Sequence, residues 1–257
     1  MRTPKEGWRS VSLSDEDLVR YNRQILFADF GEEGQRRLRQ AHVFIAGVGG
    51  LGSPVAIYLA CAGVGCLTLA DCESVELSNL NRQIVHWEKD IQKSKVISAA
   101  RKLREMNSTV EIVSLPVRIT DENVQRLVDG VDVVIDCMDN MATRFVLNEA
   151  CVRGGIPLIH GGVQGLMGEV TTIVPGQTPC FECIFPRGTA RQESFPIFGP
   201  TAALVASLQS MEAIKLLASM GTLLAGRMLY TNGKEMEFMF VEIEKKRDCQ
   251  VCGGGDQ

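Results

Sequence analysis

The sequence predicts an α/β fold: a Rossmann-like, mostly parallel sheet flanked by helices, which continues into antiparallel strands and carries a four-cysteine zinc site. Three observations support this prediction. Short apolar runs alternate with helical patterns up to residue 160, which is typical of a parallel sheet. A glycine-rich turn follows the first of these runs. Beyond residue 160, alternating strand patterns occur together with two Cys-x-x-Cys pairs.

The composition is that of an ordinary globular protein, with 45% hydrophobic and 23% charged residues in a chain of 257. The net charge of −4 gives no general affinity for nucleic acid or for an anionic membrane. We find neither a signal-peptide pattern nor about 18 consecutive apolar residues. We therefore expect a cytoplasmic protein with no nucleic-acid or membrane partner, consisting of a flexible arm over 1–13 and a single domain over 14–257.

The first part of that domain, about residues 14–160, shows the alternating pattern. Ser14 to Asp17 resembles a capping box, and the helix after it carries apolar residues at helical spacing as far as Leu26. The spacing predicts further helices over 35–40, 53–61, 92–105, 120–128 and 142–152, and strands over 43–46, 66–70, 110–115, 131–135 and 157–160. Lys93 and Lys95 fall in the first turn of one helix, where the helix dipole disfavours cations, and such local conflicts are expected at functional sites.

The second part, about residues 161–257, has a different pattern. Residues 161–168 are rich in glycine and predict turns, and 186–200 predict a long loop. An apolar helix is predicted over 201–219, with antiparallel strands over 169–174, 227–231 and 235–243.

The glycine-rich turn is a candidate phosphate-binding site. Gly47, Gly49 and Gly52 form the pattern G-x-G-x-x-G between a strand and a helix, where backbone N–H groups can approach a phosphate. Asp71 follows the next strand, nineteen residues after Gly52, and a carboxylate there can accept hydrogen bonds from ribose hydroxyls. These residues alone would suit an NAD-linked oxidoreductase.

Further residues favour a triphosphate over a dinucleotide. Two cations, Arg82 and Lys95, would offset phosphate charge, and Asp139 follows a buried strand where a carboxylate could hold Mg²⁺. A nicotinamide site needs neither the cations nor the metal. Each residue also has a structural explanation, since Lys95 can be a solvated charge and Asp139 a helix cap, although Asn140 is the better candidate for the cap.

The two cysteine pairs predict a metal site. Four thiolates in two knuckles suit a closed, tetrahedral, structural Zn²⁺ site with the ligands Cys180, Cys183, Cys249 and Cys252. A redox pair or unrelated thiols are the alternatives. Two other cysteines near the glycine turn, Cys72 and Cys137, are expected to be small buried residues rather than nucleophiles.

Taken together, these motifs resemble the ThiF/MoeB/HesA family, the bacterial relatives of ubiquitin-activating enzymes. The resemblance extends over almost the whole chain past residue 14. It is carried by residues 20–24, 47–52, 78–83, 136–140 and 207–215 and by both cysteine pairs.

The resemblance implies an adenylyltransferase that uses ATP and Mg²⁺ to activate the C-terminal glycine of a ubiquitin-like sulfur carrier ending in Gly-Gly, for molybdopterin, thiamine or related sulfur-transfer biosynthesis. The second part of the domain would bind the carrier. Arg23 would act as an arginine finger from the other subunit of a homodimer. The remaining roles carried over are phosphate binding by Gly47, Gly49, Gly50, Gly52, Asn79, Arg82 and Lys95, ribose binding by Asp71 and Mg²⁺ binding by Asp139.

The chain departs from the family pattern at three places. Glu73 stands where the family has an aspartate, so the charge lies on a longer arm, and ribose binding should survive. Residues 192–195 lack the cysteine that often forms a covalent link, so we expect adenylation without a cysteine relay in that loop. The glycines at 253–255 are followed by two polar residues and predict a flexible end rather than a carrier tail.

Two further alternatives are an enzyme that activates a small or tRNA-linked carboxylate and a non-catalytic ATP-binding adaptor.

Overall fold

The computed structural model describes residues 12–188 and 196–253, and within these ranges eight strands form one sheet. The spatial order is β3-β2-β1-β4-β5-β6-β7-β8. The first five strands in chain order are parallel, and β5 to β8 pair antiparallel. The predicted parallel sheet with an antiparallel extension is therefore confirmed. The strands are β1 (His42–Ala46), β2 (Cys66–Ala70), β3 (Glu111–Leu115), β4 (Val133–Asp136), β5 (Leu158–Gln164), β6 (Met167–Ile173), β7 (Arg227–Asn232) and β8 (Glu237–Glu242).

Helices cover both faces of the sheet. They are α1 (Asp15–Arg20), α2 (Asn22–Ile25), α3 (Gly31–Gln40), α4 (Gly52–Cys61), α5 (Lys95–Met106), α6 (Val124–Leu127), α7 (Met141–Gly154), α8 (Phe181–Ile184) and α9 (Gly199–Ala218). Strand β1 shows how the two cores form, because successive side chains of a strand point to opposite faces. Val43 and Ile45 pack with α4, α5 and α9, while Phe44 and Ala46 pack with α6, α7 and α8.

Helix α9 is long and apolar enough, by length and composition, to cross a membrane. Half of it is buried inside the protein, and it packs against α3, α4 and strands β5 and β6. Its apolar character is that of a core helix.

Several predicted boundaries were wrong for identifiable reasons. The N-terminal helix divides at Tyr21, a buried residue whose hydroxyl accepts a hydrogen bond from Asn107. Helix α5 begins at Lys95 because Gln92 has φ +69°, so Lys93 precedes the helix instead of lying in its first turn. Strand β5 continues through residues 161–164, which were predicted as turns. Most of the arm (1–11) and part of the predicted loop (189–195) lie outside the described residues.

The topology places one edge of the sheet where a ligand can bind. From β1 the chain crosses to β2 on one side, and β4 lies on the other side, so the strand order reverses between β1 and β4. In open α/β sheets, ligands bind beyond the carboxyl ends of the strands at such a reversal. The residues that follow β1, β2 and β4 therefore meet in one place.

Candidate active site

A cleft of about 560 Å³ lies beyond the carboxyl ends of β1, β2 and β4. Most of the predicted nucleotide-binding residues line it, namely Gly47, Gly49, Gly50, Asp71, Asn79, Arg82, Lys95 and Asp139. Gly52 and Arg23 are not among the described residues that line the cleft. The structure thus brings together residues separated by more than ninety positions in the sequence.

The glycine turn has a backbone that requires glycine at two positions. Gly47 has φ +87°, a conformation that L residues rarely adopt, and a Cβ atom there would lie 2.9 Å from the Cys137 carbonyl oxygen. Gly52, at the start of α4, packs directly on the Gly47 carbonyl, with no room for a side chain. This close approach lets the chain pass from β1 into the helix, and the Gly47 N–H donates to the Ala70 carbonyl at 2.8 Å.

The backbone of Val48 in this turn is held through both its N–H and its carbonyl group. Its N–H donates to Asp71 Oδ2 at 2.8 Å, and its carbonyl lies 3.1 Å from His86 Nε2. Burial lowers the pKa of His86 to about 4, so the ring is neutral at pH 7. A neutral ring that donates from Nε2 to Val48 accepts at Nδ1, where the Ser98 hydroxyl lies at 3.0 Å. His86 therefore fixes the turn as a hydrogen-bonding group rather than as a charge.

Asp71 has a second bond, from the Glu73 N–H to Oδ1 at 2.8 Å. Burial raises its pKa, opposed by these backbone bonds and by the Lys95 charge. A carboxylate offers about four acceptor positions, so both oxygens can still accept hydroxyl groups from the cleft.

The two predicted cations differ in their surroundings. The Lys95 side chain is 4% exposed, and its Nζ donates to Glu73 Oε2 at 2.6 Å. Arg82 is half-buried, and its Nη1 donates to the Ser78 carbonyl and to Asn81 Oδ1, both at 3.0 Å. Asn79 is buried, and its Oδ1 accepts from the Glu76 N–H at 3.1 Å, so it also closes the short 3₁₀ turn before Arg82.

The loop after β4 carries the predicted metal-binding carboxylate. Asp139 is exposed in the cleft, and Asn140 caps α7 by accepting from the Thr143 N–H at 2.9 Å, as expected. An exposed carboxylate beside a glycine turn that is predicted to bind phosphate fits Mg²⁺, which binds one or two carboxylates together with phosphate oxygens and water.

Asp136, at the end of β4, is buried beneath this loop. Its Oδ2 lies 2.7 Å from His160 Nδ1, and its Oδ1 accepts from the Met138 N–H at 3.0 Å. Burial alone would raise the pKa of Asp136, but the Arg144 charge and the His160 hydrogen bond hold it below its usual value. Asp136 therefore anchors the loop as a buried carboxylate and leaves the cleft to Asp139.

Sequence reasoning did not identify several residues of the site. Arg144 is buried and lines the cleft, and its Nε lies 3.4 Å from Asp136 Oδ2. Its position one helical turn after the Asn140 cap could have indicated it from the sequence. His86 carried no recognisable pattern. Val117 and Ile119, just after β3, form an apolar wall of the cleft. Because they follow a predicted strand, the sequence could have indicated them.

The four cysteines of the predicted metal site form one cluster, with all four Sγ atoms within 4.8 Å of one another. Sγ of Cys180 lies 3.6 Å from that of Cys249, and Sγ of Cys183 lies 3.5 Å from that of Cys252. Tetrahedral Zn²⁺ with Zn–S bonds of about 2.3 Å needs sulfur atoms about 3.8 Å apart, so the cluster fits this metal.

The first cysteine pair packs against the buried His160 through an aromatic ring. Phe181, within the first cysteine pair, has its ring centroid 4.9 Å from that of His160. Its backbone N–H donates to Asn148 Oδ1 at 2.9 Å. The first cysteine knuckle therefore packs behind the buried Asp136–His160 pair.

Two expectations about single residues had different outcomes. Cys137 is buried, as expected, and burial raises the pKa of its thiol well above the usual value. The expectation that Cys72 is buried was wrong: β2 ends at Ala70, and Cys72 is exposed and lines the cleft.

Comparison with known sequences gives consistent matches over most of the chain. The ThiF family matches residues 21–252. A SAMP-activating enzyme E1 from Haloferax volcanii is 40% identical over 251 residues, covering 96% of this chain and 93% of that protein. The adenylyltransferase and sulfurtransferase MOCS3 of Mus musculus is 39% identical over 249 residues, covering 95% of this chain but 54% of that protein. The chain thus spans about half the length of the MOCS3 relatives.

Comparison with solved structures gives the same architecture. A crystal structure of E. coli MccB with MccA-N7isoASN superposes with a TM-score of 0.84 and 26% identity, covering 94% of this chain and 75% of that one. The crystal structure of PaaA superposes with a TM-score of 0.80 and 26% identity, covering 95% and 79%.

Proposed function

The chain belongs to the ThiF family, and from that premise we propose that it is an ATP-dependent adenylyltransferase acting on the C-terminal glycine of a small ubiquitin-fold sulfur carrier. The observation that carries the proposal is the convergence of Arg82, Lys95 and Asp139 around the glycine turn in one cleft. A dinucleotide oxidoreductase has no use for this set of charges. Relatives named as an E1 enzyme and as adenylyltransferases support the same reaction.

In the proposed reaction, a carboxylate oxygen of the carrier attacks the α-phosphorus of ATP. A new P–O bond forms, the bond to the β-phosphate oxygen breaks, and the products are an acyl-adenylate and pyrophosphate. Arg82 and Lys95 offset the charge on the phosphate oxygens in the transition state, and the turn holds the phosphates in place. Asp139 would hold Mg²⁺, which would supply further positive charge at the phosphates.

The nucleotide would lie across the carboxyl ends of the strands. Its phosphates would follow the turn from Gly47 to Gly52, where N–H groups and the start of α4 favour anions. Its ribose hydroxyls would donate to Asp71, and Asn79 would contact a phosphate oxygen. The apolar wall of Val117 and Ile119 would contact the adenine ring.

Residues 161–257 are proposed to bind the carrier. The cleft continues to Val163, Ile197 and Ala202, which form an apolar path on the side away from Asp71. Strand β8, at the end of the sheet, exposes Phe238 (52%) and Phe240 (56%). Glu237, the first residue of β8, pairs with Asn232 of β7, and Asn232 pairs with Met167 of β6. Met167 pairs in turn with Gln164, at the carboxyl end of β5. Strand β8 therefore begins at the same edge of the sheet as the cleft. A carrier seated there can extend its tail toward the phosphates.

A homodimer is proposed because Arg23 does not line the cleft of its own chain among the described residues. Arg23 is exposed on α2 and is surrounded in sequence by exposed apolar side chains, Val19 (80%), Leu26 (68%) and Phe27 (57%). Apolar residues exposed to this degree favour burial against a partner. A second subunit covering this face would bring its own Arg23 to the neighbouring cleft.

The cysteine cluster is proposed to bind one structural Zn²⁺ and to hold the C-terminal segment to α8. Four thiolates leave no open coordination position, so the metal would take no part in the reaction. We place the reaction in the cytoplasm, where thiols stay reduced.

The direct test is isotope exchange between pyrophosphate and ATP. With Mg²⁺, purified protein should exchange only when a carrier ending in Gly-Gly is present, and a carrier truncated by one glycine should be inactive. Exchange with a small carboxylate but with no carrier would favour the related small-carboxylate enzymes instead. Absence of exchange with every carrier, together with tighter binding of NAD(H) than of ATP, would overturn the proposal.

A further inference from the structure

Glu73 places its carboxylate on the ammonium group that is proposed to bind phosphate. Its Oε2 lies 2.6 Å from Lys95 Nζ. The two partners differ in freedom, because the Glu73 side chain is 62% exposed and the Lys95 side chain is 4% exposed. The lysine is therefore held by its surroundings, while the glutamate can leave into solvent.

The backbone builds this contact into the site. The segment after β2 pairs with the segment before α5, through a bridge between Ser74 and Ser94. The Lys95 N–H donates to the Glu73 carbonyl at 3.0 Å, and the Val75 N–H donates to the Lys93 carbonyl at 2.9 Å. These bonds keep the two Cα atoms close, so the arm of a glutamate is long enough to reach Nζ.

The position also suits a carboxylate when no nucleotide is bound. Lys95 is the first residue of α5, so its charge faces the positive end of the helix dipole. The Glu73 carboxylate offsets both charges. Both side chains line the cleft, together with the glycine turn and Arg82.

We infer that Glu73 is an internal ligand of the phosphate subsite, which occupies Lys95 in the empty protein and is displaced when the phosphates of ATP bind. The inference rests on the proposed function, since it takes Lys95 as a phosphate ligand. A carboxylate and phosphate oxygens on one ammonium group repel each other, and the exposed Glu73 is the group that can move. Nucleotide phosphates must therefore compete with Glu73, whereas a nucleoside without phosphate does not.

A competing role and an ordinary ligand role of Glu73 predict opposite effects of its removal on ATP affinity. If Glu73 held the ribose or a metal ion, its removal would weaken ATP binding. If Glu73 competes with phosphate, its removal tightens ATP binding and leaves adenosine unaffected. An ion pair with one exposed partner supports a change of about two- to fivefold in the dissociation constant.

The experiment measures equilibrium binding by calorimetry on the full chain, with ATP and Mg²⁺ or with adenosine, and without a carrier. Glu73→Gln removes the charge, and Glu73→Asp keeps it on an arm one methylene shorter. Both should lower the dissociation constant of ATP and leave that of adenosine unchanged. Glu105→Gln is the matched control, because Glu105 is 61% exposed and pairs with Arg101 at 2.9 Å on the same helix α5; it should change neither constant.

Weaker or unchanged ATP binding in Glu73→Gln would overturn the inference, as would equal tightening of ATP and adenosine. A wild-type protein that binds ATP and exchanges pyrophosphate while Glu73→Gln shows no tightening would refute the inference alone. A wild-type protein that binds no ATP would refute the proposed function, and the inference with it.

Discussion

A Cβ atom placed on Gly52 would overlap the carbonyl oxygen of Gly47. The contact joins the first and last glycines of the turn, so the turn closes on itself just before α4 begins. The path of the backbone beside the cleft therefore depends on the absence of one side chain.

Gly52→Ala should destabilise the protein by about 3 kcal/mol or more, because the methyl group must push the Gly47 peptide away. Guanidinium unfolding would measure the loss. Gly50→Ala is the matched control: its Cβ would lie 3.5 Å from Arg82 Cγ and 3.6 Å from Ala202 Cβ, which are ordinary contacts. This control should fold with wild-type stability and show weaker ATP binding, since the methyl group narrows the phosphate path. Equal stability of the two variants would contradict the packing argument.

Arg82→Ala and Asp139→Ala should each lower carrier-dependent exchange by about 100-fold or more, because each removes a charge that is expected to act on the phosphates or on the metal. Circular dichroism and the melting temperature should stay unchanged, since Asp139 is exposed and Arg82 is half-buried. Arg126→Ala, at an exposed position on α6, controls for the loss of a surface cation. Persistent exchange in either site variant would show that the assigned geometry is wrong.

Arg23→Ala and Arg82→Ala should complement each other if Arg23 acts in the neighbouring subunit. Each variant alone should be inactive, but a mixture that exchanges subunits contains mixed dimers with one intact site. Random pairing of equal amounts restores about a quarter of the wild-type activity. If activity does not recover after verified subunit exchange, Arg23 does not act in the site of the partner subunit.

Acid should destabilise the protein through His86. The pKa of an unperturbed histidine side chain is 6.5, and that of His86 in the folded protein is about 4, because burial disfavours its charged form. The unfolded chain therefore binds the proton more readily. The contribution of His86 to stability is complete above about pH 6.5 and is lost as the pH falls toward 4, by about 2–3 kcal/mol in all.

Guanidinium unfolding of wild type and His86→Gln at several pH values from 7 to 4 would measure this contribution. Glutamine should lower stability at neutral pH through weaker hydrogen bonds, but its stability should fall less on acidification. Other groups titrate equally in both proteins, so their effects cancel in the difference. Parallel curves would exclude His86 as the titrating group.

The cysteine cluster should hold about one zinc per chain in protein purified without added metal. Cys249→Ser should lose the metal and lower the melting temperature by roughly 10 °C, because metal binding stabilises only the folded state. Cys61→Ser, which changes an exposed cysteine on α4 outside the cluster, should do neither. Metal loss at an unchanged melting temperature would contradict a structural role.

Patterns local in sequence predicted the fold well. The apolar run of β2 and the Ser14 and Asn140 caps were found at the correct residues, because each depends on neighbours a few positions away. Strand β5 was cut short since Gly161 and Gly162 resemble a turn. In the folded protein these glycines make room for two side chains, that of Gln209 from the distant helix α9 and that of Glu169 from the neighbouring strand β6.

Site residues could be predicted where charge and spacing indicated them. Their hydrogen-bond and ion-pair partners could not be predicted, because these come from elsewhere in the chain. Lys95 was predicted as a phosphate ligand, whereas its pairing with Glu73 depends on a bridge that local periodicity does not encode. The same holds for His86, which reaches the Val48 carbonyl from a segment without regular periodicity. The burial of Cys72 was predicted wrongly because a strand pattern does not show how far burial extends beyond the end of the strand.

One continuous sheet joins the glycine turn after β1 to the exposed edge at β8, with four strands between them. If the carrier binds at β8 as proposed, substitutions on this outer strand alter which protein is recognised without moving the groups that line the cleft. Under that proposal, new carrier specificities would arise in evolution, or be engineered, at Phe238 and Phe240 while the chemistry stays constant. The architecture would then separate the choice of partner from the reaction performed on it.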